Sequence, residues 1–269
     1  MILKNKRLAA VGFCCTDVYD ELGRSYPTGN GVDWGIHLAR MGLPVSVVSV
    51  VGSDAMGEAM RKKLSDEGID ISHLRVEEGD TCQMHMALKN ACDRVHLRMD
   101  EGVMKNYCPT KADVDFAAEH GLVHTDLFGK ALEFLPVWKK ACCRTLVDFS
   151  VFSGDPAFSC EDIFPNVDFA FLSTDSECGR DVAARIRRIQ AQGPQLVVAT
   201  MGENGSLCWD GSRLYSFGIF PAETVNTVGA GDSYIAGFTC GLMQGRPVQA
   251  CMEMGARVSA GVVSQFEPY

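Results

Sequence analysis

Asn226-Thr227-Val228-Gly229-Ala230-Gly231-Asp232-Ser233 sets two glycines and an alanine directly before a carboxylate. Side chains this small let an anion reach the backbone. The apolar positions Ile235, Phe238 and Leu242 that follow read as a helix. The unpaired N–H groups of its first turn would point at phosphate oxygens. Asp232 would stand in that same turn, where it can accept the proton of an incoming hydroxyl, as phosphoryl transfer requires. Spacing alone equally allows a plain Gly-rich turn with an aspartate capping a helix. The run is not a Walker A loop, because no Gly-Lys-Ser/Thr occurs in the chain, and it is not a G-x-G-x-x-G fingerprint. P-loop ATPases and dinucleotide dehydrogenases both lose ground.

Elements must bring such residues together. Short apolar runs alternate with helix-length segments: strands at Leu8–Cys14, Val45–Val51, Leu122–His124, Thr145–Phe149, Phe169–Leu172 and Leu196–Thr200. Helices are expected at Gly31–Met41, Met56–Glu67, Lys130–Lys140, Ser176–Gln192, Ala230–Met243 and Val248–Gln265. That rhythm argues for a parallel sheet with helices on both faces. Two stretches break it. Thr81–Leu88 and Val95–Met99 flank a turn-rich connection and read as a hairpin, and Ser206–Trp209 and Leu214–Phe217 flank Asp210-Gly211 as a meander.

Composition narrows the classes. The chain has 269 residues, 46% of them hydrophobic, enough for a large core. A net charge of -9 with no basic block excludes a nucleic-acid footprint. No run approaches the ~20 apolar residues of a membrane span. Twelve cysteines, scattered in apolar runs and without a C-x-x-C, fit a reduced, cytoplasmic protein.

The motifs, in order along nearly the whole chain, resemble the ribokinase-like (PfkB) carbohydrate kinases. That family's signature D-T-x-G-A-G-D stands here as Asn226–Asp232. Gly29-Asn30-Gly31-Val32-Asp33 stands at its N-terminal sugar motif. Gly52-Ser53-Asp54-Ala55-Met56-Gly57 matches its G-x-D-x-x-G segment, and Thr200-Met201-Gly202-Glu203-Asn204-Gly205 its T-x-G-x-x-G segment. Asp93-Arg94-Val95, Glu101-Gly102-Val103-Met104 and Asp148-Phe149-Ser150 resemble stretches of the members that phosphorylate fructosamines at the sugar 6-hydroxyl.

The resemblance implies a three-layer α/β/α ribokinase-like fold with a mostly parallel central sheet. Residues 1–269 would form a single kinase domain, with a small β lid from about 13–27 and 81–99. It implies ATP and Mg²⁺, and transfer of the γ-phosphate to a primary hydroxyl of a fructosamine, fructoselysine above all. Asp232 would be the base, and Gly229, Ala230 and Gly231 the anion hole. Thr200, Gly202, Gly205, Thr227, Gly229 and Gly231 would bind ATP. Asp17, Gly29, Asn30 and Asp33 would bind sugar hydroxyls, since a carboxylate accepts from two hydroxyls at once. Arg94 and Glu101 would join them. Glu177 would organise Mg²⁺ through water, as the acidic end of an N-x-x-E element.

Three positions depart from the family pattern. Asp33 stands where Asn is common, and the added negative charge favours an amine-bearing substrate. Thr174 replaces the Asn of N-x-x-E. Asn226 replaces an Asp that helps hold K⁺ in relatives that use it, and a neutral amide is the weaker ligand. Arg94, Glu101 and Asp126 also read as surface or capping charges. Gln83 faces the site in one of two strand registers, and His85 and His96 read as a surface cross-strand pair. The competing functions are the same chemistry on a ketohexose, pentose or nucleoside, and a non-catalytic sugar- or nucleotide-binding protein. A homodimer through the lid edge is expected by analogy of fold.

Overall fold

The computed structural model describes residues 5–89, 93–174 and 179–269. In chain order the strands are β1 (Leu8–Val11), β2 (Cys15–Tyr19), β3 (Arg24–Thr28), β4 (Val45–Gly52), β5 (Asp70–Glu77), β6 (Gln83–Lys89) and β7 (Asp93–Asp100). They continue as β8 (Leu122–Asp126), β9 (Arg144–Asp148), β10 (Phe169–Ser173), β11 (Leu196–Thr200), β12 (Ser206–Trp209) and β13 (Leu214–Phe217). The helices are α1 (Asn30–Arg40), α2 (Ala55–Asp66), α3 (Lys111–Ala118), α4 (Leu135–Lys140), α5 (Cys160–Ile163), α6 (Gly179–Gln190), α7 (Ala230–Met243) and α8 (Val248–Val262).

Nine strands form the main sheet in the order β13-β12-β11-β10-β9-β8-β1-β4-β5. Every pairing from β11 across to β5 is parallel; β12 and β13 are the antiparallel meander. Strand periodicity sorts the core into two layers. Leu8 and Ala10 of β1 pack with Ile36 of α1, Leu64 of α2, Phe238 of α7 and Met252 of α8. Ala9 and Val11 face the other way, towards Val114 of α3, Trp138 of α4 and Ile186 of α6. Each fully buried side chain of this size stabilises by roughly 1.5–3 kcal/mol, so both layers are needed to hold the strand ends in register.

The remaining strands form a smaller sheet, β3-β2-β6-β7, mixed rather than purely antiparallel because β2 and β6 run parallel. The G-x-D-x-x-G segment joins the two sheets. Asp54 caps α2 through the Gly57 N–H (2.8 Å) and accepts from the Thr81 hydroxyl (2.6 Å) and N–H (3.0 Å) at the threshold of β6. A Cβ on Gly52 or Gly57 would overlap backbone atoms, so both glycines serve this buckle.

Differences from the sequence reading have local causes. Helix α4 starts at Leu135, not Lys130, because Lys130 adopts φ +52° and Pro136 sets the first turn. β5 was not expected: Asp70-Ile-Ser-His-Leu-Arg-Val-Glu is half-polar, as suits an outermost strand. α3 was also unforeseen, although Thr110 and Asp113 form its capping box. The helix expected from Ser176 is seen from Gly179; residues 175–178 lie outside the described ones.

At the amino ends of the strands, Asp168 is a buried carboxylate with every need met. It accepts from Arg144 Nη1 (2.8 Å), Gln195 Nε2 (3.1 Å) and the Thr145 N–H (3.0 Å), tying β9 to β10 and β11. Asp168→Ala would strand a partly buried guanidinium and is expected to cost about 3 kcal/mol. Urea denaturation measures it; a loss under about 1 kcal/mol would show that this edge contributes little.

Candidate active site

The carboxyl ends of the parallel strands gather the acidic residues. β8 ends in Asp126, β9 in Asp148, and α1 opens at Asn30. Ligands of open α/β sheets bind at this edge, where connections diverge. Here β1 is flanked by β4 and β8, the divergence point.

Helix α7 begins at the same edge. Its N-cap Gly229 has φ +69°, and a Cβ there would overlap Pro268. The Ala230 N–H turns back to Thr227 O at 3.4 Å, and the Ser233 N–H donates to Gly229 O at 2.9 Å. A Cβ on Gly231 would meet nothing within 4 Å. The first turn therefore opens on free space with its amides leading, and half-buried Asp232 stands in it. Tyr234, one residue beyond Ser233, donates to Ser206 Oγ at 2.8 Å. That bond sets α7 against the end of the Thr200–Gly205 turn.

The smaller sheet faces this edge. Thr28 Oγ1 donates to Asp33 Oδ2 at 2.7 Å, while Asp33 Oδ1 is buried with no hydrogen-bond partner among the described residues. The Tyr26 hydroxyl reaches Asp17 Oδ2 (3.4 Å) and the Tyr19 hydroxyl (3.3 Å). Asn30 Nδ2 donates to Asp148 Oδ2 at 2.9 Å, and the Ser150 N–H to Oδ1 at 2.8 Å. Asp126 accepts from the backbone amides of Phe128, Gly129 and Phe13. Gly29 has φ +140°, and a Cβ would overlap the Phe13 carbonyl.

Among the described residues, five carboxylates thus crowd one edge against one guanidinium. Burial pushes Asp17 and Asp126 up to about 7. Burial and then the Asp148 charge push Asp232 up to about 8. Burial and then Asp232 raise Asp33, and burial raises Asp148. Arg94 opposes the rise on Asp17, Asp33, Asp148 and Asp232, and its Nη1 donates to Thr227 O at 2.9 Å. The hairpin thereby fastens onto the loop that leads into α7.

The nucleotide segment is a turn. Gly202–Asn204 form one turn of 3₁₀ helix, closed by Met201 N–H to Gly205 O at 2.8 Å. Gly202 has φ +55° with open space beside it, whereas a Cβ on Gly205 would overlap Phe217 O. The Thr200 hydroxyl lies 3.2 Å from that of Ser173 and 3.3 Å from Leu172 O. Buried Thr174 donates its N–H to Thr200 O at 2.9 Å; Glu177 lies outside the described residues.

Other expected residues are dispersed. Glu101 faces Lys130 at 3.7 Å, on the segment that follows the hairpin. Gln83 pairs with Thr16 and Asp100, on the strand face opposite to Asp17 and Met84. A bulge separates the histidines: His85 pairs with Arg98 and His96 with Met86. Asn226 serves as a bracket, its Nδ2 donating to Phe266 O (2.9 Å) and its Oδ1 accepting from the Val228 N–H (3.1 Å). Phe266 then packs on Tyr19 and Tyr26, and Tyr269 donates to Pro27 O at 2.6 Å. His37 of α1 meets Pro268 O at 2.8 Å. Asp148, Lys130 and Tyr26 were not singled out as site residues. Two strands each ending in Asp was the available signal for Asp148.

The sequence pattern of pfkB family carbohydrate kinases matches residues 24–137 and 159–269. The chain is 34% identical over 260 residues to the fructoselysine 6-kinase of Shigella flexneri, covering 96% of this chain and 97% of that one. It is 32% identical over 258 residues to the fructoselysine 6-kinase of Escherichia coli strain K12, covering 96% and 97%. Its fold superposes on Arabidopsis thaliana ribokinase complexed with ribose and ATP with a TM-score of 0.82, at 18% identity over 96% of this chain and 92% of that one.

The raised carboxylates carry a stability consequence. Each binds a proton in the folded state that the unfolded chain has released, so stability falls as pH rises through the folded values. The melting temperature of the ligand-free protein is expected to drop from the ordinary carboxylate range, about pH 4, up to about pH 8, where the folded values end the effect, and Asp232→Asn to shrink the drop. A flat or rising profile in calorimetry would contradict this.

Proposed function

Because this chain belongs to the pfkB family of carbohydrate kinases, phosphotransferases acting on a sugar hydroxyl, we propose that its acceptor is a fructosamine, fructoselysine above all, phosphorylated at the 6-hydroxyl. The observation that carries the chemistry is Asp232 in the open first turn of α7, behind an N-cap glycine and beside the Asp33 carboxylate with its unpartnered oxygen. The relatives' names and their nearly full coverage support the choice of acceptor.

In this reading Asp33 Oδ1 accepts a sugar hydroxyl, and Asp17 and Asn30 hold others from the smaller sheet and α1. The 6-hydroxyl oxygen forms the new P–O bond, its proton passes to Asp232, and the β–γ bridging bond breaks to release ADP. A base raised towards neutrality suits that task. The amides around Gly229, Ala230 and Gly231 stabilise charge on the transferred group. Thr200, Gly202, Gly205 and Thr227 border the nucleotide. When bound with ATP, Mg²⁺ neutralises phosphate charge, and the carboxylate excess offers the oxygen ligands it prefers. Glu177 remains the proposed water-mediated contact. In this reading Asn226 acts as a bracket, its Oδ1 accepting from the Val228 N–H, and as a neutral amide it is a weaker ligand for K⁺ than a carboxylate.

Residues 1–269 act as one kinase domain in this proposal, with the smaller sheet as a lid that excludes water. That lid also joins two copies of the chain. Its edge strand β7 has an unpaired side and carries Leu97 at 62% exposed.

Two tests follow. Asp232→Asn is expected to lower kcat by about 10²–10⁴-fold or more, with ATP affinity largely kept in equilibrium binding; near-normal turnover would remove the base assignment. Sedimentation is expected to show a dimer that Leu97→Lys splits into folded monomers. A wild-type monomer, or a dimer indifferent to the change, would remove the lid contact.

A further inference from the structure

A cavity of about 160 Å³ adjoins the carboxylate cluster. Phe13, Cys82, Met99, Met104 and Phe128 give it apolar walls, and Glu101 and Lys130 are its two charged residues. It shares structure with the proposed sugar site on both sides. The amides of Phe13 and Phe128 hold Asp126, and Gly29 packs on the Phe13 carbonyl. On the smaller sheet, Met99 pairs with Met84, which pairs with Asp17, so one strand face serves both.

Size limits the occupant. A cavity near 150 Å³ holds a benzene-sized group, which is about four to six carbons of chain and too little for a second sugar ring. The charges limit it further. Lys130 sits at φ +52°, a conformation uncommon for a residue with a Cβ. Its Nζ donates to Met104 O and Lys105 O, each at 2.6 Å, leaving one N–H. Glu101 stands 3.7 Å from that Nζ, beyond hydrogen-bond reach, and its carboxylate makes no other hydrogen bond or ion pair among the described residues. A plain surface ion pair would be worth about 0–1 kcal/mol and would have no reason to be held open at an apolar cavity.

We infer that this cavity is the specificity site for the amine-linked arm of the substrate, with Glu101 and Lys130 reading an amino-acid zwitterion at its end. The inference rests on the fructosamine reading. In fructoselysine the sugar carries the lysine ε-nitrogen, then four methylenes, then an ammonium and a carboxylate on one carbon. The methylenes occupy the apolar walls, Glu101 accepts from the ammonium, and the remaining Lys130 N–H donates to the carboxylate.

Three fructosamines built on lysine, 6-aminohexanoate and cadaverine separate the parts: the second lacks only the ammonium and the third only the carboxylate. The wild type is expected to favour the lysine compound over the 6-aminohexanoate one by about tenfold in kcat/KM, the worth of about 1.4 kcal/mol, with the difference in KM. In Glu101→Gln that preference falls below about threefold, a change that a merely structural role for Glu101 would not single out. It is also expected to favour the lysine compound over the cadaverine one. A wild type that turns over all three equally, or a preference that survives Glu101→Gln, overturns the inference while leaving the fructosamine reading intact. A wild type that phosphorylates other sugars and none of the three overturns both, and is seen before any variant is made.

Discussion

Negative charge held out of water, with one guanidinium to oppose it, is the constraint on which this architecture turns. Asp17, Asp33, Asp126, Asp148 and Asp232 come from β2, α1, β8, β9 and α7, and Arg94 opposes the rise on four of them. Such an arrangement raises the free energy of the empty protein. It is tolerable because two hydrophobic layers fix the strand ends from which the carboxylates project. In the proposed reading the balancing charge is left for ligands to bring: a divalent cation with the nucleotide, an ammonium with the acceptor.

Other buried or half-buried carboxylates of the same chain show the contrast. Asp54, Asp113 and Asp168 each have their oxygens saturated by amides, hydroxyls or cations of neighbouring elements, and all three sit where elements are joined. Asp33 keeps one oxygen unpartnered. An unmet hydrogen bond in a folded interior is costly, so where one persists the protein is organised around something that meets it. That unmet oxygen sets Asp33 apart from these joints, whereas Asp126 and Asp148 of the same edge have partners of their own.

Legibility in the sequence followed the range of the forces involved. Strands with unbroken apolar runs and helices with caps are local facts, and β1, β4, β11 and α7 lie where their residues place them. The Gly229–Asp232 run was legible because a left-handed N-cap leaves a compositional trace. Polar β5 and short α3 were missed because neighbours, not their own periodicity, hold them in place. The same holds at the site. Asp33 and Asp232 stand in motifs and Asp17 follows from the resemblance, whereas Asp148, although part of a quoted stretch, gains its place in the site from the strand end it occupies and from Asn30, 118 positions away. The Glu101–Lys130 pair exists only because the segment after β7 folds back against the loop after β8.

Phe266, Pro268 and Tyr269 lean on the smaller sheet, on α1 and on the glycine that opens α7. The contact from Tyr269 to Pro27 spans 242 positions. During synthesis the first two-thirds of the chain can settle its strands while this clasp does not yet exist. Closing so long a loop is entropically slow. Gly229 and the aromatic pair Tyr19–Tyr26 therefore reach their final packing last, which makes the carboxylate edge the final part of a nascent molecule to mature.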